Sequence, residues 1–268
     1  MKEQPVLCFV DFTDITENLK LWAAFLHKKT GRPIDLLFVR DNNTPIVLGK
    51  KVDETTIRKK LNRFRSDAGI TSGENYIKEG CNCTLISNIA ESKDAIYTII
   101  PVHKYNDVQF LNGKTVLKML RKSRIPGLII PEKNKFILPQ SVSTIANFRR
   151  AQKITAPWLV HLSKYLDLKI NMFMPANSEQ QVKHNFSFIS RFCKDHGITP
   201  ETNISSEIKT DKHILKQLSE NIHMLHLGPQ PGFFDRLFGD NDARIVSNKY
   251  GTPVFCVNSR DDLFVPCV

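Results

Sequence analysis

The sequence predicts an α/β protein made of two tandem doubly wound domains, each built on a five-stranded parallel sheet. The chain has 268 residues, which is enough for two cores of the commonest domain size. Residues 62–71 (NRFRSDAGIT) and residues 190–199 (SRFCKDHGIT) repeat one pattern, half a chain apart. Apolar strand-like segments alternate with helix-like segments throughout, as a parallel sheet covered on both faces requires. We therefore expect similar domains at residues 1–133 and 134–268, related by a pseudo-two-fold axis.

In the first half, five predicted strands alternate with four predicted helices. The strands are Val6–Val10, Ile34–Val39, a short one that begins at Tyr76, Ile96–Val102 and Gly127–Ile130, and the helices are Glu17–Lys29, Glu54–Ala68, Leu85–Ser92 and Lys114–Arg124. Gly31 and Gly69 predict helix ends, because glycine readily adopts the left-handed conformation found there. On the second helix, Ile57, Leu61 and Phe64 recur at helical spacing and predict a buried face.

The second half is predicted to repeat this order, and Gly197 matches Gly69. The strands are Phe136–Leu138, Ile170–Met174, Asn203–Ser206, Ile222–Leu227 and Pro253–Val257, and the helices are a long one ending at Leu166, Gln180–Asp195, Lys212–Ser219 and Ala243–Asn248. In each half the last strand would be an apolar edge that needs a partner. We expect Gly127–Ile130 to pair with Pro253–Val257 and so to join the halves.

Composition narrows the classes of function. The sequence shows no run of about 18 apolar residues and no secretory signal pattern, so we expect a cytoplasmic protein that does not enter a membrane. Six scattered cysteines predict reduced thiols rather than disulfides. The net charge of +11 could attract a polyanion, but the basic clusters lie on predicted helices without interleaved aromatic residues. A solvated surface is the favoured interpretation, nucleic-acid binding is not favoured, and polyanion binding through the basic helices stays an alternative.

Ligands of open α/β sheets bind at the carboxyl ends of the strands, where the strand order reverses. The first half places several polar or flexible residues there, and they are the candidate site residues: Asp11, Thr13, Val39, His103, Gly113 and Lys114. In the second half Gln140 would occupy the position of Asp11. Three glycines, Gly228, Gly232 and Gly239, follow the fourth strand of that half.

Two segments resemble the universal stress proteins, here as a tandem pair. They are VLCFVDFTDITENLKLWAAF (residues 6–25) and HLGPQPGFFDRLFGDNDARIVSNKYGTPVFCV (residues 226–257), and the resemblance in topology covers nearly the whole chain. It implies an adenine nucleotide alpha hydrolase-like fold. Nucleotide-binding members use Gly-x-x-Gly, nine residues, then Gly-Ser or Gly-Thr to cradle phosphates at a helix N-terminus, in keeping with the general chemistry of anion sites. The resemblance also implies that Asp11 would lie near adenine and ribose.

This chain departs from that pattern in both halves. In the second half the spacing between the glycines differs, Asp240 replaces the hydroxyl residue, and Pro229 and Pro231 lack the N–H groups that a phosphate cradle needs. In the first half no Gly-x-x-Gly stands at the required distance before Gly113, and Lys114, not Ser or Thr, follows it. We therefore predict a degraded nucleotide pocket, with ATP or AMP as the candidate ligand if one half still works.

No set of nucleophile, base and orienting carboxylate can be assembled from the sequence, so no catalytic residue is predicted. The Gly113-Lys-Thr115 stretch lacks the earlier glycine of a P-loop, and Cys81-Asn-Cys83 with His103 lacks a second metal-binding pair, so no metal site is predicted either. The favoured interpretation is a non-catalytic stress-response binding or regulatory protein. The alternatives are a universal stress protein that binds or hydrolyses ATP in one half, and a polyanion binder. Partners would be the other half of the chain, a second copy and unidentified proteins.

Overall fold

A computed structural model describes residues 3–40, 53–103, 111–145, 152–178, 180–205, 221–227, 245–246 and 248–258. The first half contains β1 Val6–Phe9, α1 Thr16–Thr30, β2 Ile34–Arg40, α2 Glu54–Asp67, β3 Asn75–Glu79, α3 Asn82–Ser92, β4 Tyr97–Val102, α4 Gly113–Leu120 and β5 Gly127–Pro131. The second half contains β6 Ser141–Ile145, α5 Gln152–Leu166, β7 Lys169–Pro175, α6 Gln180–Asp195, β8 Glu201–Ser205, β9 Asn221–Leu227 and β10 Val254–Asn258. The predicted helix Lys212–Ser219 and half of Ala243–Asn248 lie outside the described residues.

The strands form one continuous sheet in the order β3-β2-β1-β4-β5-β10-β9-β6-β7-β8. Within each half, neighbouring strands are parallel, and the order of the first half returns in the second as β8-β7-β6-β9-β10. The predicted doubly wound five-stranded halves are therefore confirmed. β5 and β10 pair antiparallel across the seam between the halves, as predicted from their apolar edges. None of the described helices is long and apolar enough to cross a membrane.

The cores lie on both faces of the sheet. One cluster of buried side chains packs beneath α1, α2, α5 and α6, and the other packs beneath α3 and α4. Trp22 and Trp158 lie at matching positions of α1 and α5 and are each 1% exposed. The predicted buried face of α2 is confirmed, and the helix ends at Gly69 and Gly197 have the expected positive φ angles of 63° and 80°.

The first strand of the second half was predicted at Phe136–Leu138, and this prediction is wrong. The strand is Ser141–Ile145, and Phe136 instead packs its ring 5.2 Å from that of Trp22. The strand escapes recognition because three of its five buried residues are polar, and the hydroxyl of Ser141 hydrogen-bonds the side chain of Asn221 on β9. Ile137 and Leu138, which look like strand residues, are 44% and 58% exposed.

This shift also changes the residue that corresponds to Asp11. Val6 pairs with the first buried residues of β2 and β4, and Val142 pairs with the equivalent residues of β7 and β9. Because Val6 and Val142 occupy equivalent positions, the counterpart of Asp11 is Asn147, which lies outside the described residues. The assignment of Gln140 to this position is therefore wrong.

The sequence predicted that the fourth helix of the first half extends to Arg124. In the structure this helix ends at Leu120. Asn258, on the neighbouring strand β10, explains the end. Its side-chain amide donates hydrogen bonds to the backbone oxygens of Leu120 and Arg121 at 3.2 and 2.8 Å. The second half thus supplies a partner for carbonyl groups that a helix C-terminus leaves without one.

Asn134, in the connection between the halves, organises the seam. Its side-chain oxygen accepts a hydrogen bond from the indole of Trp22 at 2.9 Å, and its side-chain amide donates to the backbone oxygen of Gly251 at 2.7 Å. Asn18 on α1 donates to the backbone oxygen of Asn134 at 2.6 Å. One buried amide therefore connects α1, the connection and the segment that leads into β10.

Candidate functional site

The strand order of the first half reverses between β1 and β4, and the carboxyl ends of these strands bring Asp11 and His103 together. Chain connections run outward from β1 in one direction and from β4 in the other, which leaves a crevice between them. Asp11 follows β1 closely, and His103 directly follows β4. Both predicted site residues therefore lie at the predicted place.

Both oxygens of the Asp11 carboxylate contact protein groups. Its Oδ2 lies 2.7 Å from Nε2 of His103, and its Oδ1 accepts hydrogen bonds from the backbone N–H and the hydroxyl of Thr13 at 3.2 and 2.8 Å. Because an ionised carboxylate only accepts, Nε2 of His103 carries the proton in this bond. His103 is 6% exposed. Asp11 and His103 thus form a hydrogen-bonded contact that closes the crevice, and Thr13 binds the other oxygen of the same carboxylate.

The start of α4 lies beside His103. The backbone N–H of His103 donates to the backbone oxygen of Leu111 at 2.9 Å, which holds the segment before α4 against the end of β4. Asn112 caps the helix, since its side-chain oxygen accepts from the backbone N–H and the hydroxyl of Thr115 at 3.0 Å each. Gly113 is buried in the first turn and Lys114 is exposed. This is the geometry of a side-chain-capped helix start, in which one amide available to a phosphate is already used.

The other predicted site residues contribute less. Val39 lies near the carboxyl end of β2, but its side chain is 6% exposed and belongs to the core beneath α3 and α4. Gly228, Gly232 and Gly239 lie outside the described residues. Of the predicted site residues, the structure brings Asp11, Thr13 and His103 into direct contact.

Sequence analysis missed Arg40, which ends β2 at the same edge of the sheet. Its Nη1 lies 3.0 Å from Oε1 of Glu79, the residue directly opposite on β3. Its Nε and Nη2 are shielded from solvent, and none of the described residues accepts a hydrogen bond from either nitrogen. A basic residue that ends an apolar strand at the ligand-binding edge is the signal that could have identified it.

The predicted basic cluster on α2 does not form a single exposed surface. Arg65 turns inward and donates to the backbone oxygens of Ser72, Ile34 and Glu74 at 2.9, 3.0 and 3.1 Å. Desolvation of the half-buried guanidinium lowers the pKa of Arg65 from its usual range. Arg58 pairs with Glu54 at 2.7 Å. Some of the basic side chains of α2 that suggested polyanion binding are therefore engaged in contacts within the protein.

Burial sets the chemistry of the thiols and of the histidines in the second half. Desolvation raises the pKa of the Cys8 thiol and raises that of Cys193 to about 12. Burial lowers the pKa of His226 on β9 to about 4. His223, on the same strand, is 1% exposed, so it is a core histidine. Among the described residues, no group of three or more His, Cys, Asp or Glu side chains could hold a metal ion.

Comparison with known proteins yields matches in structure only. No protein-family model and no curated protein matches the sequence. A universal stress protein from Archaeoglobus fulgidus DSM 4304 matches at 15% identity and a TM-score of 0.69, over 96% of this chain and 97% of the other.

Two further solved structures have a similar fold. A protein described as a putative universal stress protein from Pseudomonas aeruginosa UCBPP-PA14 matches at 12% identity and a TM-score of 0.66, over 96% and 93% of the two chains. The cytoplasmic domain of a prokaryotic cation chloride cotransporter matches at 12% identity and a TM-score of 0.56, over 96% of each. The chain therefore has the fold of the universal stress proteins, repeated in tandem.

Proposed function

We propose that this protein is a cytoplasmic, non-catalytic binding or regulatory protein of the stress-response type, in which the nucleotide crevice of the first half is closed. The observation that carries the proposal is the 2.7 Å contact between Asp11 and His103 across the crevice. The names of the two stress-protein neighbours support the stress-response part. The fold alone does not decide the function, because it also forms a cytoplasmic domain of a transporter. We further propose the division at residues 1–133 and 134–268.

The closed crevice follows from the hydrogen bonds of Asp11. A ribose hydroxyl would need a carboxylate oxygen, but Oδ1 already accepts two hydrogen bonds from Thr13 and Oδ2 accepts one from His103. The nearly buried imidazole also occupies space between the ends of β1 and β4. A nucleotide would have to displace His103 and leave its ring N–H without a partner, which is costly in a buried position.

A thermal-shift titration tests the proposal. A nucleotide present at a hundred times its dissociation constant stabilises the folded state by about 2.7 kcal/mol, which is about 5 °C in melting temperature for a chain of this size. We expect no shift with 1 mM ATP or AMP in the presence of magnesium. Two variants accompany the unmodified protein in this titration. His103→Gly removes the obstructing ring, and Asp11→Ala removes the carboxylate.

The second candidate is ATP binding by the first half, favoured by the presence of Asp11, Thr13 and the start of α4 at one edge. A shift of about 5 °C in the unmodified protein that disappears in Asp11→Ala would establish this candidate and refute the closed crevice. Phosphate release would then separate hydrolysis from binding. For polyanion binding, the discriminating result is retention on heparin that falls steeply with salt.

A further inference from the structure

Two N–H donors of Arg40 have no hydrogen-bond acceptor among the described residues. The N–H groups of Nε and Nη2 lie on the same side of a guanidinium group and point in nearly the same direction. In Arg40 both nitrogens are shielded from solvent, and no described residue accepts a hydrogen bond from them. An unpaired charged donor that is shielded from water is costly, and it calls for a physical explanation such as a bound water, an ion or another ligand.

The orientation of this donor pair is set by the sheet. Arg40 and Glu79 are register partners on β2 and β3, and the 3.0 Å contact between Nη1 and Oε1 uses the opposite side of the guanidinium. This ion pair does not use the Nε and Nη2 donors. Because two adjacent strands hold both residues, the donors are preorganised and lose little conformational freedom when they bind a ligand.

Two aromatic rings and a second cation lie on the same face of the sheet as Arg40. Phe38 precedes Arg40 by two residues, so both side chains lie on the same face of β2. The ring of Phe38 lies 5.3 Å from that of Phe12, and Nζ of Lys60 lies 5.5 Å from the Phe12 ring centre. Phe12, Phe38 and Lys60 are half-buried. We call Phe12, Phe38, Arg40 and Lys60 the Arg40 niche.

We propose that the Arg40 niche binds an oxyanion, a carboxylate or a phosphate group of a small molecule, through the Nε and Nη2 donors of Arg40. Two parallel N–H groups match two oxygens of either anion, which is the geometry for which arginine is preferred over lysine. Lys60 contributes a second positive charge, and the rings of Phe12 and Phe38 offer apolar contact to the rest of the ligand. Phe12 directly follows Asp11, so the niche adjoins the Asp11–His103 contact, but it uses neither of those two side chains and does not depend on nucleotide binding.

The test uses the full chain and simple anions as probes. Sodium phosphate and sodium acetate are titrated separately to 10 mM, with sodium chloride at equal ionic strength as the reference. A dissociation constant of about 1 mM would raise the melting temperature by about 2–3 °C at this concentration. Arg40→Lys keeps the charge but removes the paired donors. Arg58→Lys is the matched control, because Arg58 is also paired with a glutamate but is 53% exposed.

We expect a shift in the unmodified protein and in Arg58→Lys, and its loss in Arg40→Lys. A response to phosphate alone identifies a phosphate group as the ligand chemistry, and a response to acetate alone identifies a carboxylate. An equal response in Arg40→Lys, or no response to either anion, overturns the proposal.

A second measurement does not depend on a stable variant. In the ¹⁵N-labelled unmodified protein, the Nε–H resonance of Arg40 should move in a saturable way as the active anion is added. A resonance that stays in place throughout the titration refutes the site even if Arg40→Lys fails to fold.

Discussion

His161 on α5 makes the stability of the folded protein depend on pH. The imidazole is 3% exposed, and its ring centre lies 5.3 Å from that of Trp158 and 4.4 Å from that of Tyr165. No described residue forms a hydrogen bond with its Nδ1. Burial, followed by the positive charge of Arg32, lowers the pKa of His161 from 6.5 to about 4.

The direction of the pH effect follows from this lowered pKa. As the pH falls below 6.5, the unfolded chain takes up a proton at His161 while the folded chain does not, down to a pH of about 4. The contribution of His161 to stability is therefore complete above pH 6.5 and is lost progressively between pH 6.5 and pH 4. One pKa unit corresponds to about 1.4 kcal/mol, so the full loss is about 3 kcal/mol, of which about 2 kcal/mol is lost by pH 5.

Urea unfolding at pH 7.5 and pH 5 measures this effect. Between these values the unmodified protein should lose about 2 kcal/mol more than His161→Phe, which keeps a ring in the buried site but cannot be protonated. His226, whose pKa is also lowered, contributes equally to both proteins and cancels in the comparison. His184→Gln, at an exposed position of α6, is the control and should behave like the unmodified protein. If His161→Phe retains the full pH dependence, the imidazole is not the buried neutral group that we describe.

Three further predictions concern the seam and the thiols. Asn134→Ala removes two buried hydrogen bonds of the seam and should lower the free energy of unfolding in urea by about 2–4 kcal/mol; a change below about 0.5 kcal/mol would contradict the role of this amide. Gly251→Ala should lower the melting temperature, because φ is 76° and the new Cβ would lie 2.5 Å from a backbone oxygen. Gly31→Ala has a similar φ of 69° but open space around the Cβ, so its effect should be smaller. Iodoacetamide should label exposed Cys81 in the native protein well before Cys193, whose pKa is raised to about 12, and mass mapping checks the order.

The fold was predictable where hydrophobic periodicity and glycine caps agree. α6 has the predicted bounds, Gln180–Asp195, because apolar residues recur along it at helical spacing. Gly197, which has a positive φ, follows the last turn and marks the end of the helix. The pairing of β5 with β10 was also predictable, because both are short apolar strands at the edge of their halves. In these elements, local pattern and tertiary packing favour the same structure.

The prediction failed at β6 because burial there does not follow hydrophobicity. Ser141, Ser143 and Thr144 are 3%, 0% and 0% exposed, although their side chains are polar. The hydroxyl of Thr144 donates to a backbone oxygen of β9 at 3.5 Å, a partner that lies 80 positions away in the chain. Such partners cannot be read from a local window, so the more apolar Phe136–Leu138 was chosen instead.

The candidate site was predictable as a set of positions and not as a set of contacts. Strand ends at the reversal of strand order identify Asp11 and His103, because the carboxyl ends of parallel strands share one edge. Their hydrogen bond joins residues 92 positions apart and depends on the register of β1 against β4. The same is true of Arg40, whose two donors without a described acceptor become apparent only once its pairing with Glu79 is known.

The antiparallel seam decides how the two halves can share a ligand. All strands within one half are parallel, and β5 runs antiparallel to β10, so the carboxyl edges of the two halves lie on opposite sides of the ten-stranded sheet. Asp11 follows β1 on one side, and the glycines that begin at Gly228 follow β9, which ends on the other. Four strand spacings separate β1 from β9, about 19 Å across the sheet, and the length of a strand adds about 17 Å more. The carboxyl ends of β1 and β9 therefore lie too far apart to border one crevice. A ligand at the end of β1 would therefore meet the residues at the strand ends of the first half, where the Asp11 carboxylate already contacts His103.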